Sequence, residues 1–256
     1  MAPSSLFLSA RAVMVPRELT SGHEARALLA RVHDDPNEVD RDATLVLGST
    51  DDPETRQLAL WARGRARHEQ GRFAAALEDL HAAATLARER GDPLAAARIV
   101  AHRALTEYAV GEVGGALASL RSAEAVLVGS AAGHVHLQRA IVEVHAGELL
   151  SARASFDRAL ELLRAVPDDL AVARCLASRG VVCIYLGAFP DAVADLRAAV
   201  DQALATGQRL IAAGALHNLG YAQGRLGDAP GALRLLARAA TMYAELHSPA
   251  RVVASL

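Results

Sequence analysis

Residues 216–239 read LHNLGYAQGRLGDAPGALRLLARA. Two amphipathic stretches flank Gly227, with small residues at set distances: Gly220 seven before it, Ala232 five after and Ala239 twelve after. Small side chains at such places serve one of two ends. Either two helices cross too closely for anything larger, or a glycine-rich loop cradles a phosphate. Recurrence decides between them.

The pattern occurs five times. Gly71, Gly111, Gly147, Gly187 and Gly227 follow one another at intervals of 40, 36, 40 and 40 residues. Seven residues before each stands Gly64, Ala104, Ala140, Gly180 or Gly220, and five after each stands Ala76, Ala116, Ala152, Ala192 or Ala232. Nine after comes a large apolar residue (Leu80, Leu120, Phe156, Leu196, Leu236), and twelve after comes Ala83, Ala123, Ala159, Ala199 or Ala239. A phosphate loop does not repeat in this way, and its lysine is missing because the chain has no Lys at all. The repeating unit is therefore a pair of helices hinged at glycine, an all-α architecture in which stacked pairs share one continuous core.

Composition agrees. The chain has 256 residues, 52% of them hydrophobic but only 4% aromatic, so packing relies on close backbone approach. All 27 basic side chains are Arg, which together with the abundance of Ala points to a GC-rich bacterial genome. A formal charge of −2 offers no electrostatic case for nucleic acid or an anionic membrane. No apolar run reaches the length of a membrane span. The opening SLFLSARAVMV is interrupted by Arg11 and lacks a cleavage site, so a cytoplasmic location is expected.

Turn chemistry punctuates the units. GDP at 91–93 supplies Gly for a helix end, Asp for an N-cap and Pro for a first turn. VPDD at 166–169 and LHSP at 246–249 read similarly, and GSAAGH at 129–134 is the expected but less sharp break between the second and third units. Residues 1–20 read as a flexible tail, 21–50 as a degenerate capping pair of helices and 51–248 as the five repeats. Residues 249–256 read as the start of a further helix or a terminal cap.

Small–Gly–small–large–small at these distances resembles the tetratricopeptide repeat, with LGYAQGRLGDAPGAL the clearest copy. The resemblance implies a right-handed α-solenoid. Two departures stand out. The period is nearer 40 than the family's 34. The position just before the first small residue is Arg63, Arg103, Arg139 and Arg179, and only Leu219 there is apolar. Arg103 with Glu107 and Arg139 with Glu143 form i, i+4 pairs, which suggests a partly solvated seam. A HEAT-type array shares the period but follows other sequence rules. RGVVCIYLGAF and HNLGYAQGRLGD are further similar to arrays of actinobacterial proteins in which the repeats precede a CHAT peptidase domain. That resemblance implies a non-catalytic recognition or regulatory half of a longer protein. The alternative is a peptide or small-ligand sensor controlling a transcription regulator.

No chemistry for an enzyme is evident. Cys175 and Cys183 sit within helical patterns as semi-buried thiols, and His134, His136 and His145 lack acidic co-ligands, so no catalytic residue, metal or cofactor is expected. What remains is the face made by the first helix of each unit. Transferred by position, the resemblance lines it with Arg65 and His68; Arg98, Leu105 and Tyr108; His134, Leu137, Ile141 and Val144. It continues with Arg174, Val181, Ile184 and Tyr185, and then His217, Tyr221 and Arg225. This is either a groove for an apolar, helical protein segment with acidic flanks, or, at Leu105, Ile141 and Val181, packing between neighbouring first helices.

Overall fold

The computed structural model describes residues 22–246, and the expected tail and terminal helix lie outside them. Among the described residues every regular element is an α-helix. Two helices, α1 (Gly22–Arg31) and α2 (Pro36–Ser49), come first. Five pairs follow: α3 (Pro53–Glu69) with α4 (Phe73–Glu89), α5 (Pro93–Ala109) with α6 (Val113–Glu124), and α7 (Gly129–His145) with α8 (Leu149–Leu163). The last two are α9 (Asp169–Tyr185) with α10 (Phe189–Ala205) and α11 (Arg209–Arg225) with α12 (Ala229–Glu245). Each helix packs substantially only on helices one or two places away in the chain, which is the contact pattern of a solenoid.

The hinge glycines close the odd-numbered helices. Gly71 has φ +74° and Gly227 φ +92°, the left-handed region that a side chain resists. At the first hinge the N–H of Arg72 donates to the carbonyl of Arg67 at 2.8 Å, and the other four hinges repeat this six-residue closure at 2.8 to 3.1 Å. Asp52, Asp92, Asp168 and Asp228 cap the helices that follow them, each carboxylate accepting the N–H three residues on. The break at the third unit lies elsewhere than expected. The turn is Ala125–Val128, and GSAAGH already forms the opening of α7. Neither Asp nor Pro marks this boundary; Gly129 stands there with φ +59°, and the preceding Leu127 is buried in one cluster with Ala123, Ala132 and Val135. The early end of α6, 12 residues against 17 in α4, accounts for the 36-residue interval.

The small positions work by a specific contact. A Cβ placed on Gly180 would stand 2.6 Å from Cγ of Leu196, and one on Gly64 would stand 2.8 Å from Cγ of Leu80. The large residue nine after each hinge therefore fills the volume that the small residue seven before it vacates. Ala76, Ala116, Ala152 and Ala192 are fully buried at the same crossing, and Ala83, Ala123, Ala159 and Ala199 are fully buried where the next pair stacks.

The arginines one residue upstream are the second recurrent contact; they are partly exposed, as expected of a partly solvated seam, and the pairs Arg103–Glu107 and Arg139–Glu143 form. Each reaches across the pair to the residue sixteen later. Arg63 grips Asp79 through Nε (2.9 Å) and Nη2 (2.7 Å), and Arg179 grips Asp195 through Nε (2.8 Å) and Nη2 (2.6 Å). In the second and third pairs the partner is serine, and the acid comes from the odd-numbered helix. Arg103 donates to Ser119 (2.9 Å), whose hydroxyl donates to Glu107 (2.7 Å), and Arg139, Ser155 and Glu143 repeat the chain. The fifth pair places Leu219 and Leu235 at these positions. Asp79, Glu143 and Asp195 are all buried, so each carboxylate depends on its arginine.

Two stability measurements test these contacts. Gly180→Leu forces atoms into space already held by Leu196, at a cost of about 1–3 kcal/mol or more. Ala118→Leu, at an exposed position, leaves the melting temperature nearly unchanged, and equal melts for the two variants contradict the register. Arg179→Leu alone strands a buried carboxylate and costs about 3–5 kcal/mol in denaturant unfolding. Arg179→Leu combined with Asp195→Leu copies the fifth pair and recovers most of that loss; additive damage means the clasp is not the pairwise unit described.

Candidate functional site

The odd-numbered helices present one face in common, and two cavities open along it. The first, about 390 Å³, is lined by Arg65 and His68 of α3, His102, Leu105 and Tyr108 of α5, Ile141 of α7 and Arg174 of α9, among others. The second, about 550 Å³, is lined by Leu137, Ile141, Arg174, Val181, Ile211 and Asn218, among others. Ile141 and Arg174 belong to both, so the two form one trough.

The expected residues divide along this trough. Arg65, His68, Leu105, Tyr108, Ile141 and Arg174 meet in the first cavity, and Leu137 and Val181 join at the second. Leu137 is nearly shut from solvent and belongs to the core; Val144 and Ile184 are half-buried and pack against it. At these three positions inter-repeat packing dominates. Arg98 and His134 line an adjoining depression of about 300 Å³ that shares His102 and Gln138 with the first cavity, and His134 Nε2 lies 2.9 Å from Asp168. His217 is half-buried and lines neither cavity of the trough. Tyr185 and Tyr221 are exposed, at 64% and 47%. The Arg225 guanidinium stacks 4.7 Å from the Phe189 ring centre and donates to the Tyr221 hydroxyl at 3.0 Å.

Sequence reasoning missed a polar row. The residue nine before each hinge is His102, Gln138, Ser178 and Asn218 in four consecutive units, and all four line the trough. Four polar residues at one register position were the available signal.

The first cavity is electrostatically one-sided. Arg65 donates to the Leu29 carbonyl (3.3 Å) and meets His33 Nε2 at 2.9 Å, while His33 Nδ1 lies 3.2 Å from Glu69. His68 Nδ1 lies 3.1 Å from the Thr106 hydroxyl. Burial, with Arg65 nearby, pushes His102 down to about 4, and burial also lowers His68. His102 donates from Nδ1 to the Arg98 carbonyl at 2.9 Å and meets the single tryptophan, Trp61, edge-on at 5.5 Å between ring centres.

Nucleophilic chemistry has no support at the cysteines. Cys175 and Cys183 are buried, and burial pushes the Cys175 thiol up to about 12. Among the described residues no cluster of three or more His, Cys, Asp or Glu is placed to hold a metal, and no helix is long and apolar enough to cross a membrane.

Comparison with known proteins agrees with the geometry. A tetratricopeptide-repeat family model matches residues 132–205. No curated protein matches the chain. Among solved structures, BtubC from P. vanneervenii is 18% identical with a TM-score of 0.70, over 87% of this chain and 92% of that one. The apo quorum sensor NprR from B. thuringiensis is 14% identical with a TM-score of 0.69, over 86% of this chain and 65% of that one. A signal-transduction ATPase with a tetratricopeptide repeat sensor, from Pyrococcus horikoshii, is 15% identical with a TM-score of 0.76, over 91% of this chain and only 35% of that one. At such identities the likeness is one of fold. The chain folds as an all-α repeat solenoid of the tetratricopeptide kind.

The state of His102 has a measurable consequence. Its folded value lies below its unfolded value of 6.5, so between those limits the unfolded chain binds the proton first. Its contribution is full above pH 6.5 and falls away as pH drops toward 4, by about 1–3 kcal/mol. His102→Gln removes this part of the slope. Thermal melts at pH 7.5 and 4.5 should diverge between the two proteins, and parallel profiles exclude a buried neutral His102.

Proposed function

We propose that the chain is a non-catalytic recognition array that captures a protein or peptide segment in the trough of its odd-numbered helices. The observation that carries this reading is the continuity of the two cavities through Ile141 and Arg174. The middle of the trough is apolar at Leu105, Ile141, Val181 and Ile211, and Arg stands at both ends of the face, at Arg65 and Arg225. An apolar, helical segment with acidic flanks complements that distribution. Similar folds include a Rap protein complexed with competence and sporulation factor, a partner-bound array that supports a recognition role.

The sequence resemblance to arrays ahead of CHAT peptidase domains makes this chain the recognition part of a longer protein, acting in the cytoplasm. The mass of the protein isolated from its source cell checks this, and a sole species of 26.8 kDa overturns it.

Selection from a displayed random-peptide library tests the capture itself. The chain enriches apolar sequences flanked by acids. Ile141→Glu with Val181→Glu abolishes enrichment, because a carboxylate on the apolar floor must be desolvated when the partner docks. The half-buried pair melts within a few degrees of wild type. An early melt means these residues are core, and undiminished enrichment places the binding surface elsewhere.

A further inference from the structure

The outward face of α12 differs from those of α4, α6, α8 and α10. In the first four pairs the large residue nine after the hinge is shut from solvent: Leu80, Leu120, Phe156 and Leu196 are at most 1% exposed, whereas Leu236 is only half-buried. Among the described residues no helix follows α12. The sequence changes at the same place. Ten residues after the hinge stands an exposed His81, Arg121, Asp157 or Arg197 in the first four pairs, and an exposed Ala237 in the fifth. Leu233, 68% exposed, and the exposed Ala244 stand four before and seven after Ala237, on the same side of the helix.

At about 100° per residue, Leu233, Leu236, Ala237, Ala240, Thr241 and Ala244 form one uncharged stripe, with Arg234, Arg238 and Glu245 together along its edge. The order of sizes within the stripe decides what fits it. Leucines occupy its first half and small residues its second, so the stripe turned end for end is its own complement. Take a two-fold axis level with the peptide between Arg238 and Ala239. Leu233 of one copy then stands level with the partner's Ala244, and Leu236 stands beside the partner's Ala240. At the centre Ala237 meets the partner's Ala240, where no side chain is large enough to hold the backbones apart. This is the fit of large against small that builds each pair within the chain, where Leu196 fills the space beside Gly180. On the edge, Arg234 comes within one turn of the partner's Glu245, and the two copies of Arg238 lie on the solvent side, where water screens them.

We propose that the chain associates with a second copy of itself through α12, the two helices packing antiparallel about this two-fold axis. None of the stripe residues lines either cavity of the trough, so the association is independent of what the trough binds. One helix from each copy makes an interface at the low end of specific ones, below about 1,200 Å². The dimer therefore exchanges with monomer at micromolar concentrations.

Sedimentation velocity of the full chain tests this, over a series from about 1 µM to about 1 mM because so small an interface is weak. The expected result is a reversible equilibrium between monomer and dimer. Ala237→Arg restores the residue that Arg121 and Arg197 place at this position in other pairs. It raises the dissociation constant about tenfold or more, while dilute protein melts at the wild-type temperature. Ala244→Leu sets leucine against the partner's Leu233 and weakens the dimer to a similar degree. Leu233→Ala combined with Ala244→Leu exchanges large for small at both ends and restores the wild-type constant; a double variant as weak as Ala244→Leu overturns the two-fold register. A chain that stays monomeric throughout the series overturns the proposal, as does association that none of the variants changes. Species larger than a dimer overturn the closed two-fold arrangement. If the wild type is monomeric and Ala237→Arg lowers the melting temperature of dilute protein, the stripe is covered by residues after Leu246 of the same chain, and the second copy is excluded.

Discussion

Two atoms cannot share one volume, and every helical pair in this molecule is built on that exclusion. Leu196 occupies the place where a side chain on residue 180 would go, and Leu80 does the same to residue 64. The crossing distance, and with it the angle at which the next pair stacks, follows from this single fit. Where alanine replaces glycine, at Ala104 and Ala140, the residue is fully buried in the same role. The odd-numbered helices therefore stand side by side in a fixed register, and the trough inherits its rigidity from the crossings behind it.

Around this crossing the chain solves one packing problem in three chemical ways. The position next to the small residue is filled by an arginine clasped to aspartate, by an arginine reaching a glutamate through serine, or by leucine facing leucine. Acid at one site or the other accompanies the arginine in four pairs, and both vanish together in the fifth. Covariation inside a single chain is physical evidence of contact. Its energetic content is modest, since ion pairs and aliphatic pairs substitute for each other at little net cost. What the ionic version adds is specificity: a buried carboxylate tolerates only the register in which its arginine reaches it.

Much of this was legible in the sequence because steric exclusion leaves a composition trace. Glycine or alanine at fixed offsets, repeated in register, admits few architectures, and the hinges and Asp caps follow from backbone chemistry. The clasp partners were harder to see. Arg63 with Asp79 and Arg179 with Asp195 are sixteen residues apart, beyond the i, i+4 spacing at which helical charges are usually paired. The turn at Ala125–Val128 precedes Gly129, whose φ of +59° marks the boundary, while the GSAAGH run after it reads as a loop but folds as helix. The face of the site was legible by position, but its division was not. Val144 and Ile184 pack against the core and Leu137 divides between core and trough, while His102, Gln138, Ser178 and Asn218 line the trough. Only the rotation of one helix against the next decides between those outcomes.

Pocket and scaffold differ most in how they treat charge. In the clasps every buried acid meets a cation, and the geometry is closed to further ligands. In the first cavity Arg65 is partly desolvated, burial lowers His68 and pushes His102 down to about 4, and the one acid is already used. Such an arrangement lowers stability in the absence of a partner, and a fold with five equivalent crossings can tolerate that at one place because neighbouring pairs support it. Arg65 has already lost part of its hydration and is fixed by the Leu29 carbonyl and His33. The rigid crossings hold these groups in place: the scaffold neutralises its clasp charges pair by pair, and Arg65 stands at the trough without a carboxylate of its own.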